Sequence, residues 1–357
     1  MFAVSVMEQR PPVSSPSRST LWVQDLGAAL LAGWITLGGF VDGFAHRNLN
    51  TPETFFTPWH GVLYSGFLAT AAYLVFLVGR RRSEAASLRE AIPPGYDTAL
   101  AGVVIFALGG LGDMWWHTLF GIEVAIDALL SPTHLMLLVG SVLMLSGPIR
   151  SAWARTGTEP GFKALAPALI ALTMATAQLG FFFQYADGFS VRVMQAPYVP
   201  VPYVPGANDE ANLAAVYGIS AVLLTTVIVM GPLLLFIRRW RLPKGAGILF
   251  FSTLGLLMAL LEGFQYPESI IAPLIAGIGA DLLIHLLAPS PERRRQLRLF
   301  AWLVPMGLWA ARAAVVTAVY GMGWPVAMWS GLIVMAGLLG LGLSLLVVPP
   351  GHPARAG

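Results

Sequence analysis

The chain has 357 residues, of which 56% are hydrophobic and only 11% are charged, and its mean hydropathy is +0.71. These values are too apolar for a soluble globular protein and indicate a polytopic membrane protein in a lipid bilayer. The formal net charge of +3 comes from basic residues that follow membrane topology, so nucleic acid is not an expected partner, and the absence of Cys excludes disulfides and thiolate metal sites.

Apolar segments of about 20 residues predict an all-α integral membrane protein with about ten transmembrane helices. The predicted spans are 24–46, 58–79, 97–118, 131–149, 164–185, 213–237, 245–265, 268–288, 299–320 and 323–348. We interpret residues 1–20 as a disordered cytoplasmic tail and residues 351–357 as a second cytoplasmic tail. Residues 21–150 form a half that contains an internal repeat, and residues 151–350 form a second, more hydrophobic transmembrane half.

Lys and Arg residues fall almost entirely on one side of the predicted spans. That side holds 18 of them, the other side holds only Arg47 and Arg192, and Arg312 lies within a span. Because Lys and Arg are enriched in cytoplasmic loops, both termini of this cell-membrane protein are predicted to be cytoplasmic. Residues 186–212, rich in Pro, Tyr and Val, form the longest connection on the outer side, where an ordered lid and a plain spacer both fit the sequence.

A pattern of Asp, three residues and His, followed by Ser/Thr-Pro-x-His, occurs twice in the first half. Its ionisable members are Asp42, His46 and His60 in the first copy and Asp113, His117 and His134 in the second. Asp and His four residues apart share one helix face, while Thr57-Pro58 and Ser131-Pro132 suit the N-cap and the first helical position. Each copy therefore predicts an outer helical hairpin in which one carboxylate and two imidazoles converge.

Two His and one Asp with open coordination positions suit a divalent transition metal. Copper, iron and zinc all fit such a ligand set, whereas calcium and magnesium prefer more oxygen ligands. A single Asp or His at a helix end is commonly a solvated or hydrogen-bonded interfacial residue. Repetition of the whole pattern favours metal binding over that interpretation, because ionisable groups inside spans are costly.

The first copy resembles the membrane subunit that holds a copper site in the particulate methane and ammonia monooxygenases, where Asp-x3-His is followed by Phe-Thr-Pro-x-His. The matching residues here are Asp42, His46 and Phe56-Thr57-Pro58-Trp59-His60. The second copy, with His117-Thr118, Glu123 and Pro132-Thr133-His134, is similar to the neighbouring second site of the same family protein. The family usually has Asn where this chain has Asp113, and this chain has more predicted spans.

The resemblance covers about residues 40–140 and implies copper as the metal, with each copy of the motif as one ligand set. It further implies a membrane copper monooxygenase, or one component of such an enzyme, that oxidises a small apolar or ammonia-like substrate. It is compatible with additional membrane or extracytoplasmic subunits as partners. The proposed metal sites would face the extracytoplasmic side.

Two other functions remain open from the sequence. A transition-metal transporter or metal-handling protein would carry the ion inward along Asp281, His285 and Arg312. Asp281 and His285 repeat the four-residue spacing of the motif, which would also fit a local hydrogen bond between the two side chains. Asp281 is in addition the expected partner of Arg312. A zinc-dependent membrane hydrolase would need a carboxylate base beside the metal, either Glu123 or Glu262.

Three carboxylates are accessory candidates for the metal sites. Glu123 and Asp127 could add a ligand or accept a proton, or could form a solvated turn. Glu262, near the outer end of the seventh predicted span, could complete a site from another helix. No nucleotide-binding fingerprint, hydrolase nucleophile elbow or zinc-protease motif occurs, so no catalytic residue is assigned.

Overall fold

A computed structural model describes residues 18–49, 55–121, 126–155, 157–198 and 209–350. In these ranges the chain is helical, without a β-strand. The α-helices are α1 (Arg18–Asn48), α2 (Pro58–Arg82), α3 (Leu88–Ala91), α4 (Asp97–Phe120), α5 (Ile126–Leu130), α6 (Pro132–Arg155), α7 (Phe162–Phe182), α8 (Asp209–Arg239), α9 (Ala246–Leu261), α10 (Glu268–Leu287), α11 (Arg294–Val319) and α12 (Val326–Val347). The predicted tail 351–357 and nearly all of the predicted tail 1–20 lie outside the described residues.

Nine helices in the described part of the chain are long and apolar enough to cross a bilayer. They confirm the prediction of an all-α, multi-span membrane protein. The predicted span 245–265 is realised as α9, which has only 16 residues. It ends early because Gly263 adopts a φ of 62° and the N–H of Phe264 donates to the carbonyl of Ala259 at 2.8 Å, a turn that terminates helices.

Helix α9 nevertheless runs between the two ends of the bundle. Before its first turn, the N–H of Arg241 donates to the carbonyl of Thr158 at 2.8 Å, in the connection between α6 and α7. At its other end, Nδ2 of Asn48 donates to the carbonyl of Leu261 at 3.0 Å. The C-terminus of α9 therefore lies beside the C-terminus of α1, at the end of the bundle where the repeated motif is found.

Glycines close the two helical hairpins, α1–α2 and α4–α6, that carry this motif. A Cβ placed on Gly38 would lie 2.6 Å from Cα of Leu63, and a Cβ placed on Gly102 would lie 2.6 Å from the carbonyl oxygen of Gly140. Small residues allow such a close approach of helix backbones in membranes. The close approach places polar side chains at the ends of each hairpin within reach of one another.

The largest buried apolar cluster lies among α7 to α12 and takes in Phe40 from α1. Phe40 also packs edge-on against Phe181 of α7, with ring centroids 5.2 Å apart. At the opposite end of α1, the hydroxyl of Tyr96, the residue before α4, donates to the buried carboxylate of Asp25 at 2.7 Å. Helix α1 therefore packs both within the motif-bearing hairpins and against the rest of the bundle, as does α6, which packs against α7.

Residues 183–198, here called the α7–α8 loop, are held on the bundle by buried polar contacts. Asp187 accepts hydrogen bonds from the Phe189 N–H at 3.1 Å and from the Thr225 hydroxyl at 3.0 Å. The Ser269 hydroxyl of α10 donates to the carbonyl of Phe189 at 2.8 Å. This portion of the predicted outer connection 186–212 is therefore ordered against the helices, while residues 199–208 lie outside the described residues.

The buried carboxyl group of Asp187 should make the stability of the protein depend on pH. Burial raises the pKa of this carboxyl from 3.8 to about 6, although the Thr225 hydroxyl and the Arg312 charge partly offset the effect. The folded state therefore binds a proton more tightly than the unfolded state. The stabilising contribution of this proton is complete below pH 3.8 and is lost as the pH rises through about 6.

The measurement is the thermal unfolding midpoint from pH 4 to pH 7 in wild type and in Asp187→Asn. We expect the difference between the two midpoints to change across this range, with wild type losing more stability as the pH rises. Parallel curves for the two proteins would contradict the assignment to Asp187. The contributions of the other titrating groups cancel in this difference, because both proteins contain those groups.

Candidate metal centre

The first group of the repeat forms where the C-terminal part of α1 meets the start of α2. Asp42 and His46 lie one turn apart on α1, and Nε2 of His46 is 3.7 Å from Oδ1 of Asp42. Thr57 caps α2, with its Oγ1 accepting from the N–H of His60 at 3.1 Å, and Pro58 occupies the first turn. This cap fixes His60 in the opening turn, where its Nε2 lies 3.3 Å from Oδ2 of Asp42.

The second group forms in the same way between α4 and α6. Asp113 is 1% exposed, and Nε2 of His117, one turn later on α4, lies 3.5 Å from its Oδ1. Ser131 precedes α6 and accepts from the N–H of His134 at 3.3 Å through its hydroxyl. Nε2 of His134 then lies 3.3 Å from Oδ1 of Asp113.

The two groups have nearly the same geometry. The imidazole centroids of His46 and His60 are 5.6 Å apart with the rings inclined at 58°, and those of His117 and His134 are 5.7 Å apart at 57°. In both groups the Nε2 atoms of the two histidines approach one shared carboxylate. The sequence repeat is therefore also a repeat in three dimensions.

Contacts on the far side of the rings orient His60, His117 and His134. Nδ1 of His60 lies 3.2 Å from the Thr57 hydroxyl, and Nδ1 of His134 lies 2.9 Å from the Ser131 hydroxyl. Nδ1 of His117 lies 3.2 Å from the carbonyl of Gly121. Such contacts at one ring nitrogen fix the direction in which the other points, as is usual for metal-binding histidines.

The spacing of the side-chain atoms fits a shared metal ion. Each group offers one atom per residue within 4.8 Å of the others. Two atoms bound to one metal at about 2.1 Å with a tetrahedral angle lie about 3.4 Å apart, close to the separations found here. The same separations exceed the ~2.8 Å of a charge-assisted hydrogen bond between imidazole and carboxylate.

Asp42 supplies a further observation in favour of a bound ion. Its Oδ1 atom is buried and has no hydrogen-bond partner among the described residues. A buried carboxylate oxygen without a partner is costly, and a metal ion would satisfy it. In the second group, Oδ1 of Asp113 accepts a hydrogen bond from the Thr133 hydroxyl at 3.0 Å, which holds this carboxylate in place.

Both groups line a single cavity of about 770 Å³, here called the site cavity. Phe55 contacts both groups, because its ring centroid lies 5.5 Å from that of His60 and 6.2 Å from that of His117. Tyr64, one turn after His60, also lines the cavity and packs over Gly110 of α4. The two groups are therefore neighbours that face one cavity.

Of the accessory carboxylates, Asp127 and Glu262 lie in the described part of the chain, and neither belongs to one of these groups. Asp127 is exposed on α5, and Glu123 lies outside the described residues. Glu262 is buried and lines the cavity, but its Oε1 lies 2.8 Å from a guanidinium nitrogen of Arg47. Glu262 therefore forms an ion pair at the cavity wall instead of completing a set of metal ligands.

The polar residues expected to continue a path inward have other partners. Asp281 accepts from the N–H groups of Gly247 and Ile248, at 2.9 and 3.0 Å, and so caps the N-terminus of α9. His285 is exposed on α10. The expected pair between Asp281 and Arg312 is wrong, because Arg312 donates to the carbonyl of Val191 at 2.9 Å.

Sequence reasoning did not identify Phe55, Tyr64 and Arg47 as parts of the site. Phe55 stands five residues before His60 and Arg47 directly follows His46, so proximity to the motif was the signal for both. Tyr64 could have been found as the residue one helical turn beyond His60. The contact of Arg47 with Glu262 joins residues more than two hundred positions apart and had no local signal.

Comparison with protein families, with curated proteins and with solved structures finds no match for this chain.

Proposed function

We propose that this protein is an integral membrane transition-metal protein that binds one ion at each of the two histidine–aspartate groups. The observation that carries the proposal is the repeated geometry, in which two imidazoles meet one carboxylate at nearly equal distances in both hairpins. The buried Oδ1 atom of Asp42, which lacks a hydrogen-bond partner among the described residues, supports it independently.

Copper is the metal we propose, with iron and zinc as the alternatives. Two imidazoles and one carboxylate suit all three ions. The preference for copper comes from the resemblance of both motif copies to the copper-site membrane protein of the particulate methane and ammonia monooxygenases. By the same resemblance, the protein would be such an enzyme or one component of it, acting on a small apolar or ammonia-like substrate.

Bound copper would supply the chemistry that activates dioxygen for hydroxylation. The residues of this chain would hold the ions and shape the chamber beside them. Asp42 and Asp113 would each supply a carboxylate ligand, and the apolar side chains of the cavity would exclude water from the reacting molecule. Additional membrane or extracytoplasmic subunits would be partners in such an assembly.

The charge asymmetry of the loops supports an extracytoplasmic position for the sites and a cytoplasmic position for both termini. A route for metal transport finds less support. Asp281 caps α9, and Asp281, His285 and Arg312 are not among the described residues that line the site cavity. A zinc hydrolase would need a free carboxylate base; of its two candidates, Glu262 is paired with Arg47 and Glu123 lies outside the described residues.

The test is the metal content of the purified full-length protein in lipid nanodiscs after exposure to copper. We expect two copper ions per chain in wild type, about one in His46→Ala and in His134→Ala, and almost none in the double variant. His285→Ala is the matched control, because His285 is exposed on α10 and should leave the metal content unchanged.

Unchanged metal content in both single variants would overturn the paired-site proposal. Parallel exposure to iron and zinc identifies the preferred ion. Tighter binding of zinc than of copper would remove the basis for the monooxygenase comparison and leave only the metal sites themselves.

A further inference from the structure

The site cavity extends inward well beyond the two histidine–aspartate groups. On α4, Phe106 lies seven residues, or roughly 10 Å, further into the bundle than Asp113, and it still lines the cavity. Leu63 of α2 and Leu137 of α6 line the same inner part. Apolar side chains therefore line much of the inner part of the cavity, beside the polar side chains of Tyr64 and Gln178, and the volume of the whole cavity, about 770 Å³, exceeds what a gas molecule needs.

The other end of the cavity is a charged rim made by Arg47, Arg192 and Glu262. Arg47 and Arg192 are the only two Lys or Arg residues that the sequence places on this side of the membrane. Both line the same cavity. Since basic residues are depleted on this side, their convergence on one opening favours a role in binding.

The charges of the rim are not balanced. Arg47 and Glu262 form a close pair at 2.8 Å, whereas Arg192 lies 4.0 Å from Glu262. The guanidinium of Arg192 stacks over the Tyr266 ring at 3.5 Å, and its ionic contact among the described residues is the 4.0 Å approach to Glu262. Its side chain lines the cavity and is 45% exposed, so its N–H donors are accessible to an anion.

We propose that the site cavity binds an acidic amphiphile, with a carboxylate or similar anion at Arg192 and an apolar chain in the chamber beside the two histidine–aspartate groups. The volume lies within the roughly 300–1,000 Å³ of ordinary small-molecule sites. This inference goes beyond the proposed function, because it assigns to the cavity a ligand other than the small apolar or ammonia-like substrate that the resemblance implies.

The probe is dodecanoic acid carrying a diazirine on its chain, with the matching diazirine dodecanol as the neutral comparison. Both are photolysed with the full-length protein in nanodiscs, in copper-loaded and in metal-free form, and the labelled peptides are identified by mass spectrometry. We expect the acid to label the α2, α4 and α6 segments around Leu63, Phe106 and Leu137, in competition with unlabelled dodecanoate. The alcohol should label them about tenfold less, because it lacks the charge-assisted contact.

Two variants test the two ends of the ligand. Arg192→Gln should lower labelling by the acid about tenfold and leave labelling by the alcohol unchanged. Gly39→Leu should abolish labelling by both, because Gly39 lines the cavity and a Cβ there would meet no atom within 4 Å. The matched controls are Arg238→Gln at the opposite end of the bundle and Gly79→Leu, an exposed glycine that also has open space around it.

Equal labelling by acid and alcohol, unaffected by Arg192→Gln, would overturn the assignment of the anionic group. Unchanged labelling in Gly39→Leu would overturn the cavity as the binding site. Labelling that persists in a protein unable to bind metal would leave this inference standing and remove the proposed function. Metal binding without specific labelling would leave the proposed function standing and overturn this inference.

Discussion

Replacing Gly102 with Val is expected to force α4 away from α6 and to remove the second metal-binding group. A Cβ on Gly102 would lie 2.6 Å from the carbonyl oxygen of Gly140 and 2.9 Å from the backbone nitrogen of Met144. Backbone atoms cannot rotate aside, so the two helices must separate. Overpacking of this kind costs about 1–3 kcal/mol of unfolding free energy.

Separation of α4 from α6 should disrupt the second histidine–aspartate group, because its residues lie on both helices. Asp113 is on α4 and His134 is on α6, and their coordinating atoms must stay 3.3 Å apart. We therefore expect Gly102→Val to lower the copper content from about two ions to about one while also lowering the thermal unfolding midpoint. Gly102→Ala, which adds only the Cβ, should show a smaller effect of the same sign.

Gly79→Val is the matched control for this change. Gly79 is exposed on α2 and has no atom within 4 Å of its added Cβ, so it carries the same change in helix propensity without the clash. If Gly102→Val and Gly79→Val showed the same midpoint and the same copper content, close packing at Gly102 would not be what assembles the second group.

The site could be foreseen from the sequence because its contacts are local. Asp and His at a four-residue spacing share a helix face, and a hydroxyl residue followed by proline starts a helix, whatever the rest of the fold does. The convergence of Asp42, His46 and His60 follows from these two rules and a short connection. The observed distances agree with it in both copies of the motif.

Contacts between distant helices were not foreseeable in the same way. Hydropathy marks a residue as lying within a span but does not say which neighbour its side chain meets. Arg312 and Asp281 are both ionisable residues in spans, so they were expected to pair. In the structure Asp281 instead satisfies N–H groups at the start of α9, while Arg312 turns to the α7–α8 loop.

Arg312→Met is expected to lower the free energy of unfolding by about 3–5 kcal/mol. Arg312 is 1% exposed, and the buried carboxylates of Glu268 and Asp187 are opposite charges whose Coulombic attraction acts on it. Removing the guanidinium leaves both carboxylates inside the protein without a compensating charge. The apolar side chain of Met keeps most of the volume but not the charge balance.

A second substitution tests this explanation. Adding Glu268→Gln to Arg312→Met removes one of the two uncompensated charges, so the double variant should be more stable than Arg312→Met alone. Arg238→Met, at an exposed position on α8, should change stability by no more than about 0.5 kcal/mol. A double variant no more stable than the single variant would show that the charge balance is not the cause.

The effect should also reach the site cavity. Arg312 donates to the carbonyl of Val191, and Val191 and its neighbour Arg192 both line that cavity. Loss of this hydrogen bond should raise the rate of amide hydrogen exchange in the α7–α8 loop and should weaken ligand binding at Arg192. It should leave both histidine–aspartate groups intact, because those groups are held by other helices. Copper content that remains at two ions per chain in Arg312→Met, together with faster exchange in residues 187–196, is the result that this arrangement requires.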